Sequence, residues 1–153
     1  MDTVVACPHC QQSNRVRPEA RGVPHCGACG QPLPWVVAAT ADSLGEELRA
    51  SVPVLVDLWA PWCGPCRGMG PAVERLARDR AGALKVVTLN VDEAPEVAAN
   101  LGAQSIPLLV LARDGQEVAR LTGAVLPRDL GGWLDSQLAA LRPKPAPAPG
   151  SAR

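Results

Sequence analysis

Six cysteines carry the chemistry open to this chain, and they fall into three C-x-x-C pairs: Cys7/Cys10, Cys26/Cys29 and Cys63/Cys66. A dithiol at that spacing can hold a soft metal ion or open and close a disulfide, and the pair alone does not say which. Context separates them. Cys7-Pro-His-Cys10 and Cys26-Gly-Ala-Cys29 are fifteen residues apart, inside the spacing of a four-thiolate zinc site in which each pair makes a tight knuckle with converging sulfurs. The segment 1–34 around them has few large apolar side chains, so a metal must supply the stability that burial cannot. One structural zinc per chain is expected on Cys7, Cys10, Cys26 and Cys29. His9 and His25 are read as loop residues, because four thiolates already complete a tetrahedron.

The third pair ends the run VLVDLWAPWCGPC, residues 54–66. A strand of Val54, Leu55, Val56, Leu58 and Trp59 delivers Cys63 to the start of a helix, with Gly64 permitting a tight turn and Pro65 suiting a first helical turn. Helix N–H groups and the positive end of the dipole then favour the Cys63 thiolate. Cys66 lies one turn inside, close enough to close a disulfide with Cys63. Asp57 sits between Val56 and Leu58 in an otherwise apolar strand. Burial disfavours its charged form and should raise its pKa towards neutrality, where a carboxylate becomes a useful general base.

At these residues the chain resembles a known family. WCGPC preceded by VDLWA is similar to the thioredoxins, and the likeness runs from about Trp35 to Leu141, taking in Ser105-Ile106-Pro107 and Thr122-Gly123. The resemblance implies a five-stranded mixed sheet flanked by helices. It makes Cys63 the exposed attacking thiol and Cys66 the resolving one. Asp57 would lie beneath the disulfide and accept the Cys66 proton. Pro107 would be a cis-proline opposite the motif, with Ile106 offering backbone groups to an extended substrate segment. Trp62, Gly64, Pro65, Ile106, Gly123 and Ala124 would form a flat apolar docking patch around the Cys63 thiol, and Trp59 would pack beneath the site.

With its zinc ribbon the chain resembles the thioredoxin 2 type of bacteria, α/β proteins of the thioredoxin fold. That implies a monomeric protein disulfide reductase acting on disulfide-containing proteins and recharged by NADPH through thioredoxin reductase. Two departures stand out: Thr88 replaces a lysine usual in the family, and Gly68 and Gly70 lower the propensity of the active-site helix. A different class of function, a zinc-dependent redox-sensitive chaperone or interaction module, uses the same residues as a binding face. A disulfide-forming oxidase is disfavoured by the Gly-Pro dipeptide and by the lack of an export signal.

The rest of the chain must position these groups. At 153 residues, 47% hydrophobic and without net formal charge, it fits one globular domain with additional material, and its charge gives no argument for nucleic acid or membrane partners. Before Trp35 the arginines 15, 17 and 21 stand against Asp2 and Glu19, and no aromatic residue is available for base stacking. No apolar stretch approaches membrane-spanning length. MDTVVACPHC has neither a basic leader nor an apolar run, so a reducing cytoplasm is expected, where six cysteines read as metal or redox sites. There is no Phe or Tyr, so Leu, Val and Ala must fill the core around Trp35, Trp59, Trp62 and Trp133.

From Trp35 onwards strands and helices alternate as βαβαβαββα. WVVAAT is a strand, and Ser43 with Glu46 forms a capping box for a helix burying Leu44 and Leu48. The helix from Pro65 carries Met69, Val73 and Leu76, with Pro71 expected to kink it. A strand spans 84–92, a short helix runs from Pro95 to a stop at Gly102, and Asp114-Gly115 turns a hairpin. Leu130, Trp133, Leu134, Leu138 and Leu141 stripe the last helix. The reading divides the chain into a zinc ribbon over 1–34, a thioredoxin domain over 35–142 and a disordered Pro/Ala-rich tail over 143–153.

Overall fold

The computed structural model describes residues 3–17 and 22–141, so the tail expected over 143–153 lies outside the described residues. Two short strands, β1 (Thr3–Ala6) and β2 (Ser13–Val16), pair antiparallel on either side of the first cysteine pair. Then follow β3 (Val36–Ala39), α1 (Leu44–Glu47), β4 (Val54–Trp59), α2 (Gly64–Asp79), β5 (Lys85–Asn90), α3 (Pro95–Asn100), β6 (Leu108–Arg113), β7 (Gln116–Thr122) and α4 (Pro127–Ala140). The second sheet has the order β3-β5-β4-β6-β7. β4 runs parallel to β5 and antiparallel to β6, so the sheet is mixed. This is the thioredoxin fold that the resemblance implied.

β4 is central because its residues are apolar on both faces. Val54, Val56 and Leu58 pack with Leu44 of α1 and Ala98 of α3, while Leu55 packs with Met69 and Val73 of α2 and Leu130 and Leu134 of α4. The strand period of two puts Asp57 on the Leu55 face, under α2. At the far edge Asp114 (φ 53°) and Gly115 (φ 80°) close the β6–β7 hairpin with two left-handed residues, as a type I′ turn requires. α2 continues unbroken past Gly68, Gly70 and Pro71.

The capping box expected of Ser43 and Glu46 is not formed, since the Ser43 side chain makes no cap to the α1 backbone. The Thr40 N–H instead donates to Ser43 Oγ at 2.8 Å, and the Ser43 N–H donates to Thr40 Oγ1 at 3.1 Å. The same reciprocal bond is thus made one turn earlier, because the Leu44 N–H already reaches the Thr40 carbonyl at 3.1 Å.

The chain passes from the β1–β2 segment to the large sheet at Trp35. The Leu33 N–H bonds back to the Pro24 carbonyl at 2.8 Å, and the Trp35 carbonyl accepts from Val86 at 2.8 Å. Pro32 packs on Gly82, where an added Cβ would meet it at 3.0 Å and where φ is +92°. Beneath the buried Trp35 ring lies a charge that sequence patterning does not reveal. Lys85 is 1% exposed, and its Nζ donates to Glu47 Oε2 at 2.6 Å and to the Glu47 carbonyl at 2.9 Å. The same Nζ stands 4.6 Å from the centroid of the indole.

Removing one partner of a buried pair leaves the other charge uncompensated, at a cost of about 3–5 kcal/mol. Lys85→Met is therefore expected to lower the unfolding midpoint in urea strongly. Adding Glu47→Met to that variant should recover most of the loss; a double variant as weak as the single one would show that packing around Lys85, not charge, sets the cost.

Candidate active site and metal centre

Cys63 is the N-cap of α2, with extended backbone angles, and its Sγ accepts the N–H of Cys66 at 3.2 Å. Pro65 falls in the first turn, where its missing N–H is not needed. Cys63 and Cys66 are joined as a disulfide, with Cα atoms 5.3 Å apart. Gly64 has neither a left-handed φ nor any atom within 4 Å of an added Cβ. The turn therefore does not demand glycine; what Gly64 leaves is bare surface beside the sulfurs.

The contrast of an exposed with a recessed sulfur needs correction. In the disulfide Cys63 is 4% exposed and Cys66 5%, so accessibility does not separate them. What separates them is the N-cap: only Cys63 Sγ receives a helix N–H and faces the positive end of the dipole.

Asp57 is buried, and desolvation raises its pKa to about 6. In register it stands beside Thr88 on the neighbouring parallel strand. The two residues line a cleft of about 210 Å³ with Trp59, Cys66, Arg67 and Gly70, so the carboxyl and the Cys66 thiol share one small space behind the disulfide. Trp59 packs against the cluster of Ala60, Cys63 and Cys66, as does Ile106.

The Ile106–Pro107 peptide is cis. Pro107 is buried and its carbonyl accepts the Gly123 N–H at 2.9 Å, an approach made at φ +91°. This bond brings Gly123 to Ile106-Pro107. Trp62 is 67% exposed, and its Nε1 donates to both carboxylate oxygens of Asp92 at 3.1 Å. Sequence reasoning missed Asp92, thirty residues from Trp62, and missed Arg67 on the cleft. Only the end of the strand at 92 placed an acid near the top of the sheet.

The other four cysteines converge. Their sulfurs lie within 4.8 Å of one another, with Cys7–Cys29 and Cys10–Cys26 at 3.6 Å. A tetrahedral ion with sulfur bonds of ~2.3 Å has edges of ~3.8 Å, so the donor set fits a soft dication. The two knuckles are built alike. The His9 N–H points to Cys7 Sγ and the Ala28 N–H to Cys26 Sγ, both at 3.4 Å. Cys7 and Cys26 each bond to the residue five positions on, Gln12 and Gln31, at 2.9 and 2.8 Å. His25 turns away, with Nδ1 on the Val23 carbonyl at 2.9 Å.

So crowded a set of thiols cannot all ionise without a cation. The N–H of Cys29, helped by Ala28 and Asn14, lowers the Cys26 thiol to about 6. The Gln12 N–H favours the Cys10 thiolate, but burial and the surrounding sulfurs outweigh it and push that thiol to about 12. A bound dication removes the conflict by deprotonating all four.

Comparison with known proteins agrees with this geometry. The thioredoxin family model matches residues 35–136. Thioredoxin 1 of Synechococcus elongatus is 47% identical over 105 residues, 67% of this chain and 98% of its own length. Thioredoxin C-3 of Corynebacterium nephridii is 35% identical over 139 residues, 88% of this chain and 95% of its own length. That span is longer than everything from Trp35 to the last residue, so the second likeness extends into the four-cysteine segment.

The Asp57 pKa makes a stability prediction. A carboxyl that binds its proton more tightly folded than unfolded stabilises the fold when protonated. The advantage is complete below about pH 4, and it is lost as pH rises through about 6. Above that range the buried charge costs on the order of 3 kcal/mol. Oxidised Asp57→Asn is expected to exceed the parent in stability by that order at pH 7 and to match it at pH 4. Equal urea midpoints at both pH values would show that Asp57 is not destabilised by burial.

Proposed function

The chain belongs to the thioredoxin family, and we propose that it is a cytoplasmic protein disulfide reductase of the thioredoxin 2 type, recharged from NADPH by a thioredoxin reductase. Family membership makes it a thiol–disulfide oxidoreductase. The observation that carries the finer reading is the disulfide closed across the first turn of α2 with a buried carboxyl sharing its cleft.

In the reduced protein Cys63, held as thiolate by the helix N-terminus, attacks one sulfur of a substrate disulfide. A mixed disulfide forms and the other substrate sulfur leaves as thiolate. Cys66 then gives its proton to Asp57, whose pKa of about 6 leaves it mostly ionised at neutral pH. The Cys66 thiolate attacks Cys63 Sγ, the mixed bond breaks, and the second substrate sulfur departs. Two electrons have passed from the dithiol to the substrate, whose thiolates take up protons. Reduction of Cys63–Cys66 by the NADPH-linked reductase restores the starting state.

Trp62, Gly64, Pro65 and Gly123 offer largely apolar surface around the sulfurs, and Ile106 offers backbone groups beside Pro107. Such a face suits extended segments of many proteins better than one small molecule. Asp92 holds the Trp62 indole in place. Cys7, Cys10, Cys26 and Cys29 would hold one structural zinc. Its chemistry is to neutralise and fix four thiolates, supplying folding free energy to a segment whose buried cluster, among the described residues, is Cys7, Val16, Cys26 and Leu33 with Val5 against it.

In insulin reduction with NADPH and thioredoxin reductase, Cys63→Ser is expected to abolish turnover. Cys66→Ser should instead accumulate a mixed disulfide; normal turnover by that variant would overturn the division of roles. Asp57→Asn should resolve the mixed disulfide more slowly, on the scale of 10²-fold or more for a lost general base. Metal analysis should give one zinc per chain, retained in Cys63→Ser and lost with the ribbon cysteines; protein purified with no zinc would remove the metal reading and leave the reductase untouched.

A further inference from the structure

The two cysteine knuckles match in backbone but differ in one side chain. Asn14, on β2 opposite Val5, reaches across to the second knuckle with every polar atom occupied. Its Oδ1 accepts the Gly27 N–H at 2.9 Å. Its Nδ2 donates to the Gln12 carbonyl at 2.9 Å and to Cys26 Sγ at 3.5 Å. These partners fix the orientation of the amide, since a carbonyl and a thiolate both need a donor. Gln12 ends the first knuckle and Gly27 lies within the second, so one side chain ties the two halves of the cluster together. Among the described residues, no side-chain N–H is directed in this way at Cys7.

We infer that Asn14 is a positioning residue of the metal centre, holding the second knuckle against the first and donating to the Cys26 thiolate when a dication is bound. The inference rests on the reading of the four cysteines as a metal site. Four thiolates leave a zinc centre with a net charge of minus two, and each N–H aimed at sulfur disperses part of it. Hydrogen-bond partners outside the ligand set commonly change metal affinity by about 10–100-fold. Two substitutions separate the contributions. Asn14→Ala removes both the tie and the donor. Asn14→Asp keeps an acceptor for Gly27 but loses both N–H donors and brings a negative charge beside Cys26.

The test uses the full-length protein, loaded with zinc for competition against a chromogenic chelator and with cobalt for absorption spectroscopy. Asn14→Ala is expected to bind zinc about tenfold more weakly, and Asn14→Asp more weakly still. The sulfur-to-cobalt charge-transfer band should shift in both variants, a change that mere loosening of the hairpin far from the sulfur would not produce. Insulin reduction should stay at the parent level, because Asn14 lies outside the Cys63 site. Parent-like affinity and spectra in both variants would overturn the role of Asn14 alone. Asn14→Asp binding as well as the parent would show that the Gly27 contact suffices and that the donor to sulfur does nothing. A parent chain that binds neither metal would overturn the metal reading and this inference together.

Discussion

A carboxyl group inside a strand buried on both faces is the constraint on which the rest of this structure turns. β4 must be apolar to hold the centre of the sheet, and Leu55 and Val56 are fully covered by helices on either side. Asp57 breaks that rule at a position that shares a cleft with Cys66. Among the described residues no arginine or lysine is bonded to Asp57, and desolvation is what raises its pKa. The fold carries this penalty because its remaining core is large enough to absorb it.

The other buried charges are handled in the opposite way. Lys85 is nearly inaccessible, yet it has a carboxylate, a carbonyl and an indole face within reach. A paired charge of this kind is close to neutral for stability and specific about geometry. It fixes α1 and Trp35 against β5, at the end of the sheet away from the Cys63–Cys66 disulfide. Asp57 and Lys85 lie on neighbouring strands, but of the two only Asp57 shares a cleft with Cys66. Thr88 is adjacent to Asp57 in register, and a hydroxyl can bond to a carboxyl without adding charge to hold it ionised.

Much of this was legible in the sequence because the decisive features are local. A strand of Val and Leu ending in Trp-Cys-Gly-Pro-Cys fixes the N-cap of α2, and two left-handed residues at Asp114-Gly115 fix a hairpin. The buried face of α4 follows from the spacing of Leu130 and Leu134. The missed and misread details depend on tertiary context. Lys85 lies in the strand read over 84–92, and its burial depends on Glu47, thirty-eight positions earlier. Ser43 bonds to Thr40 rather than to its own helix because the turn begins sooner than the Ser-x-x-Glu pattern suggests. Asp92 meets Trp62 only when β5 is laid beside β4. The exposure of Cys63 could not be judged from types and spacing, since Val91 and Ile106, which pack against its cluster, come from distant sequence.

Three C-x-x-C pairs with the same spacing take two structures, and the residue after the second cysteine decides between them. Gln11 and Gly30 follow Cys10 and Cys29 in the left-handed region, at φ 69° and 76°. That conformation ends each turn at once, so the N–H groups of the knuckle point at the first cysteine and both sulfurs face outward to meet another pair. Arg67 follows Cys66 in a helix that runs on to Asp79. There the chain beyond the motif rises away, the dipole of a sixteen-residue helix acts on Cys63 alone, and the two sulfurs have no partner but each other. A turn that stops gathers ligands; a helix that continues polarises one thiol against its neighbour.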